Sequence, residues 1–131
     1  MNTMISDYVS RINIGTPKVK IIINKTTFFQ GEMLEGTIHI VGGLFRTKVK
    51  RYDIEFIGRD QESGKEHIYN ERVVYSTLVC KRSEKNVLPF CLKISEDLPI
   101  HLQYVIRCRV VLENIEDFEE EYPVTIKFLM R

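Results

Sequence analysis

Three histidines and three cysteines are the residues of this 131-residue chain best suited to metal binding or covalent catalysis. His39, His67 and His101 lie far apart, and no two of them stand at a ligand spacing such as HxH or HxxxH. A metal site needs several ligands that converge on one point. We therefore expect three surface histidines and no metal site.

The cysteines Cys80, Cys91 and Cys108 are odd in number and form no CxxC pair, so they favour neither a disulfide framework nor a zinc site. A nucleophilic cysteine needs a nearby histidine or cation that lowers its pKa. Cys108 falls on the apolar face of its predicted strand, where burial raises the pKa, and no catalytic signature surrounds the more exposed Cys91. We expect structural thiols, no cofactor and no enzymatic activity.

Charged residues form two clusters near the end of the chain. The acidic run from Glu113 to Glu121 lacks the layout of a calcium loop, and it predicts either a solvated hairpin end or a docking patch for a basic partner. Arg107 and Arg109 share one strand face and form a candidate patch for protein contact. The net charge of +1 and the lack of interleaved aromatic residues argue against a nucleic-acid partner.

These residues must be positioned by strands, because apolar and polar residues alternate along most of the chain. Pro89 cannot donate a ladder hydrogen bond, so its strand is an edge or carries a bulge, and Gly58 predicts a bulge or a close backbone approach. The predicted strands span residues 18–24, 33–41, 48–60, 65–80 (as one strand or two), 87–94, 102–112 and the stretch after 123. About seven strands without a long internal helix predict a single antiparallel, immunoglobulin-like β-sandwich over residues 15–131.

The first fourteen residues carry a different pattern, with apolar residues about four positions apart. This spacing predicts a short amphipathic helix over residues 1–14, which packs on one end of the sandwich or docks elsewhere. We see no signal peptide, and the longest apolar run, Ile21 to Ile23, is too short to span a bilayer. We expect a reduced, cytoplasmic protein without an integral membrane segment.

The strand Lys18–Asn24 supplies the other candidate contact residues. Lys18 and Lys20 make its outer face polar, while Ile22 also points outward. If the strand lies at a sheet edge, its free N–H and C=O groups could accept a partner strand. The alternative is that the lysines guard the edge against such pairing.

The order of the motifs resembles the first sandwich of the arrestin-like family, in its sporulation-control branch. An extended strand is followed by a Gly-Glu turn that leads into an apolar-x-Gly-x-apolar strand, and then by a strand that ends in an apolar-x-Gly step. An apolar-Pro-Phe strand, an acidic-Leu-Pro loop and a long strand come after these. These motifs stand at Lys18–Ile23, Gly31–Ile40, Tyr52–Gly58, Leu88–Ile94, Asp97–Pro99 and Leu102–Leu112, with Ile14-Gly15 and Gly42-Gly43 typical of that branch. The resemblance implies a non-catalytic arrestin-like module that regulates sporulation, or a related cell state, by protein contact.

Members of that family usually carry two sandwiches, so the resemblance implies a free-standing half or a fragment. The flank that a second sandwich would cover predicts a homodimer. Two alternative functions stay open. One is a vesicle-trafficking or cargo adaptor of the same fold, and the other is a carbohydrate-binding sandwich that uses exposed aromatic residues such as Phe45, Tyr69 and Tyr75.

Overall fold

The computed structural model describes residues 4–8 and 15–128, which form strands joined by turns and loops. The strands of this described part are β1 (Met4–Tyr8), β2 (Lys18–Ile23), β3 (Thr27–Phe29), β4 (Met33–Val41), β5 (Thr47–Arg59), β6 (Glu66–Tyr75), β7 (Val79–Cys80), β8 (Lys85–Lys93), β9 (Gln103–Leu112) and β10 (Phe118–Lys127). Among these residues, no helix is long and apolar enough to cross a membrane.

Two sheets enclose one hydrophobic core. The first, sheet A, has four strands in the order β1-β2-β4-β8, and the second, sheet B, has the order β3-β10-β9-β5-β6 with β7 paired to the start of β5. Alternate residues of both sheets turn inward, among them Ile21, Ile38, Ile54, Phe56 and Ile106, and all five are fully buried. The predicted all-β fold is therefore confirmed.

The N-terminal segment corrects the prediction of a helix. Met4–Tyr8 is a strand that pairs antiparallel with β2, with Met4 opposite Ile23 and Tyr8 opposite Val19. Main-chain pairing with the neighbouring strand overrides the helical spacing of the apolar residues, because a segment this short gains little from helix formation alone. The rest of the predicted helix, residues 1–3 and 9–14, lies outside the described residues.

The same pairing shows that β2 is not a sheet edge, which was the condition for strand addition at this strand. β2 lies between β1 and β4, so its main-chain groups face a neighbouring strand on both sides. Strand addition by a partner at Lys18, Lys20 and Ile22 would have to displace β1. In sheet A, the outermost strands are β1 and β8.

Other predictions are confirmed or corrected in detail. β8, which contains Pro89, is an edge strand, and the stretch 65–80 divides into β6 and β7. The register shifts between Phe56 and Ile57, which confirms the predicted bulge. At Gly58 the close neighbour is a side chain and not a second main chain, since a Cβ atom there would lie 2.6 Å from Tyr69 Cε2. The sandwich is not wholly antiparallel, because β3 pairs parallel to β10. The sequence reading missed β3, whose three residues are too few for alternation to reveal.

Candidate functional site

A cavity of about 600 Å³ lies where residues of β2, β4 and β8 meet residues of β5 and β6. Its volume is in the range of pockets that bind small ligands. The lining is mostly apolar, with several polar groups around it. It consists of Ile22, Asn24, Glu35, Gly36, Thr37, Tyr52, Arg72, Val74, Pro89, Phe90 and Cys91.

The wall of the cavity depends on the absence of a side chain at residue 36. A Cβ atom there would lie 2.3 Å from Phe90 Cζ and 2.6 Å from the main-chain oxygen of Ile22. The Phe90 ring therefore occupies space that any other residue at position 36 would take. This contact brings β4 and β8 together at the cavity.

Among the polar groups that line the cavity, one cation has no ion pair within the described ranges and can bind a ligand. Tyr52 Oη donates a hydrogen bond to Pro89 O at 3.2 Å, and burial raises the pKa of Tyr52, an effect that the positive charge of Arg72 opposes. Arg72 is exposed, is the one cation of the lining, and has no ion pair with a residue of the described ranges. A ligand that places an apolar group in the cavity can therefore direct a carboxylate toward Arg72.

The outer edge of β6 runs beside this cavity, because Arg72 and Val74 belong to β6. Side chains close the first half of that edge toward β8: Asn70 Nδ2 donates to Lys93 O at 3.0 Å, and Ser95 Oγ donates to Tyr69 O at 3.4 Å. No strand of the described part pairs with the other half, residues 71–75. We call residues 71–75 the open edge.

The hydrogen bonds to β5 show which main-chain groups of the open edge face outward. Ser76 N donates to Lys50 O at 2.9 Å, so the main-chain groups of Ser76 point toward β5. The N–H and C=O of the preceding residue, Tyr75, which lies opposite Arg51, therefore point away from β5. In an antiparallel ladder this orientation recurs at every second residue, so Val73 and Glu71 share it. Exposed side chains accompany these groups, since Val73 is 43% and Tyr75 80% exposed.

The candidate residues of the first strand meet different environments. Lys18 is exposed, while Lys20 and Ile22 are half-buried. Ile22 lines the cavity, which brings it together with Arg72 and Val74 of the other sheet. Of the candidates for protein contact, the structure places Ile22 in this concave site.

The candidates Arg107 and Arg109 are bound by carboxylates of their own sheet. The Arg107 guanidinium contacts Glu121 at 2.7 Å, Glu66 at 2.9 Å and Glu55 at 3.5 Å. Arg109 Nη2 donates to Glu119 Oε1 at 2.6 Å. These arginines belong to an ion-pair network on the outer face of sheet B, and their charges are already compensated.

The network also covers apolar residues. Ile57 and Val105 pair with each other on the outward-facing side of β5 and β9, yet they are 0% and 3% exposed. Arg59 lies on one side of this apolar pair and Arg107 on the other. Each arginine also binds a glutamate on the far side of the pair: Arg59 binds Glu121 and Arg107 binds Glu66. Long charged side chains can shield apolar surface with their stems. We therefore attribute the burial of this outward pair to the arginines above it.

The pKa shifts agree with this geometry. Burial lowers the pKa of Arg107, but its hydrogen bonds to Glu66 and Glu121 raise it by more, so the net shift is upward. Hydrogen bonds from Arg107 and Arg59 lower the pKa of Glu66. For Glu121, burial acts upward, but the same two arginines produce a net lowering of the pKa. The charged forms of all these groups stabilise one another.

One sequence signal could have revealed this network. The turn between β9 and β10 sets Arg107 opposite Glu121 and Arg109 opposite Glu119. Composition alone shows the basic pair and part of the acidic run as separate surface patches, but alternate charges on two strands of one hairpin face each other. Counting residues outward from the turn would have paired them.

The residues considered for chemistry do not converge. Among residues 4–8 and 15–128, no three histidine, cysteine or acidic side chains are grouped to hold a metal ion. Burial raises the pKa of Cys108 far above its usual range, so this thiol stays protonated. Tyr69, a candidate for carbohydrate contact, packs against His67 at 4.4 Å and Tyr104 at 6.1 Å between ring centroids.

Comparison with known proteins identifies relatives of this chain. The family described as SpoOM protein matches residues 5–127. The sporulation-control protein spo0M of Bacillus subtilis (strain 168) is 30% identical over 94 residues, and the match covers 66% of this chain and 36% of that protein. The crystal structure of Spo0M from Bacillus subtilis matches with a TM-score of 0.74 at 20% identity, over 87% of this chain and 50% of that one.

The chain thus spans no more than half the length of these relatives. The match to the crystal structure establishes the fold, and the family match covers nearly the whole chain. The resemblance to the sporulation-control branch of the arrestin-like family is confirmed, and the chain belongs to the SpoOM protein family.

Proposed function

We propose that this chain regulates sporulation, or a related cell state, by binding another protein, and that it catalyses no reaction. Its family is named for sporulation control, which favours this role over that of a trafficking adaptor. The observation that carries the proposal is the cavity that joins Ile22, Val74 and Arg72.

The cavity defines the chemistry of the partner segment. Its apolar lining suits one aliphatic or aromatic side chain, because burying such a group contributes about 1.5–3 kcal/mol to binding. Arg72 suits a carboxylate on the same segment, since attraction between opposite charges orients the approach. We expect the partner to present an apolar residue next to an acidic one.

The test is the number of heat-resistant spores in Bacillus subtilis cells that express this chain. The variant Ile22→Lys replaces the apolar side of the cavity by a charge that can reach solvent, so the fold is retained while the cavity loses its affinity. Val87→Lys is the matched control, because it introduces the same charge at a different place. Val87 lies on β8, is 54% exposed and does not line the cavity.

We expect the parent chain and the V87K variant to change the spore count by the same factor, and I22K to leave it at the level of cells without the chain. Equal effects of I22K and the parent chain would overturn the role of the cavity. No effect of the parent chain would overturn the role in sporulation.

A further inference from the structure

Within residues 4–8 and 15–128, no strand pairs with the open edge of β6, and the outward main-chain groups of this edge form a regular set. Glu71, Val73 and Tyr75 direct their main-chain groups away from β5, although the Glu71 N–H also bonds to its neighbour Asn70 Oδ1 at 2.9 Å. Such an edge can take up another strand. We propose that it pairs antiparallel with the open edge of a second copy, with Val73 opposite the second copy's Val73.

Symmetry restricts how two identical strands can pair. A two-fold axis that relates antiparallel strands of one sheet runs perpendicular to it, so each side chain stays on its own face after the rotation. Residues that face each other must therefore be both odd-numbered or both even-numbered. The remaining choice is which residue lies on the axis.

Charge excludes two of these choices. With Glu71 on the axis, two carboxylates would lie directly opposite each other, and with Arg72 on the axis, two guanidinium groups would do so. Like charges in opposite positions destabilise a strand pair. Both arrangements would also extend into Tyr69, whose main-chain oxygen is already bonded to Ser95 Oγ.

The remaining registers differ in how many residues of the two open edges face each other. With Val74 on the axis, Glu71 would face Thr77, which lies beyond the end of β6 at Tyr75. With Val73 on the axis, Glu71 faces Tyr75 of the second copy and Arg72 faces Val74. This register uses the whole open edge, forms about six main-chain hydrogen bonds once Glu71 N–H is released, and opposes no like charges.

The side chains support the same register. The exposed Val73 would meet its symmetry mate, with a Tyr75 ring on each side, so the apolar groups of the outer face come together. Arg72 and Val74 line the cavity, so the two cavities of the dimer would lie at one interface. The contact between two open edges is smaller than a standard protein–protein interface, so we expect a dissociation constant on the order of 10–100 µM.

Multi-angle light scattering over increasing concentration tests whether the dimer forms. The parent chain should dimerise, and Val73→Lys, which sets two lysines opposite each other on the exposed face, should raise the dissociation constant about fivefold. Val87→Lys should dimerise like the parent chain. A parent chain that stays monomeric at about 1 mM, or a V73K variant that dimerises like the parent, would overturn the proposal.

Disulfide formation tests the register, in a Cys91→Ser background whose remaining thiols are buried. Val73→Cys should cross-link, because paired Cα atoms would lie about 5.5 Å apart, within disulfide range. Glu71→Cys alone should not, whereas a mixture of Glu71→Cys and Tyr75→Cys chains should. Efficient cross-linking of Glu71→Cys alone would overturn the register.

The dimer does not depend on the proposed function, and the two can fail separately. A parent chain that stays monomeric at about 1 mM and still changes the spore count would overturn only the assembly. An I22K variant that dimerises normally yet affects spore counts like the parent chain would overturn only the role of the cavity.

Discussion

Two regions of the molecule carry exposed polar groups, and they differ in whether those groups have partners. On the outer face of sheet B, Arg59 and Arg107 share the carboxylates of Glu66 and Glu121. At the cavity and the open edge of β6, by contrast, Arg72 has no ion pair among the described residues and no strand there pairs with Val73 or Tyr75. A charged patch that is compensated within its own sheet stabilises the fold, whereas uncompensated groups beside an apolar cavity are available for binding.

The largest expected effect concerns the wall of the cavity. Gly36→Ala would force Phe90 to move, because the new Cβ atom would overlap its ring and the Ile22 main-chain oxygen. We expect a loss of about 2 kcal/mol in the free energy of unfolding, measured by urea denaturation. Adding Phe90→Leu should restore part of this loss. If the double variant is less stable than G36A by the full cost of F90L alone, the two positions are not coupled through this contact.

The next effect concerns the ion-pair network. Arg107→Ala would remove the ion pair with Glu55 and expose Ile57 and Val105, so we expect a loss of about 1–2 kcal/mol in stability. Lys50→Ala is the control, since Lys50 is exposed and has no ion pair within the described ranges. If R107A and K50A unfold at the same urea concentration, the arginine does not shield the apolar pair.

A smaller effect should follow pH. The folded-state pKa values of Glu66 and Glu121 are lowered, so their contribution to stability is present above the ordinary carboxyl value of 4.5 and is lost as the pH falls below it. Glu66→Gln should therefore be less stable than the parent chain at pH 7, by about 1 kcal/mol or less, and the difference should shrink toward pH 3. A difference that stays constant or grows on acidification would contradict the assigned ion pairs.

The sequence predicted much of the fold because burial on one face leaves a strict alternation of residues. Leu34, Ile38 and Ile40 revealed β4 in this way, and Pro89 indicated that β8 is an edge strand. The segment Met4–Tyr8 was misassigned, because its apolar spacing fits a helix while its state depends on pairing with β2. Local patterns do not show which strand will be available as a neighbour.

The candidate site was predicted less well. Alternation placed Ile22 and Arg107 correctly on outward faces, but it does not tell which side chains meet across strands. The cavity needs residues from strands that are distant in sequence, such as Ile22 and Val74. The open edge of β6 follows from the order of the strands, because an edge exists only once all other strands have found their places.

The most direct test compares one residue from each region in the same assay of heat-resistant spores. Ile22 lines the cavity, while Arg109 binds Glu119 on the outer face of sheet B, so Ile22→Lys and Arg109→Gln separate the two surfaces. We predict that cells expressing the R109Q chain match those expressing the parent chain, and that the I22K chain has no effect. An I22K chain with full effect beside an R109Q chain without effect would contradict this account.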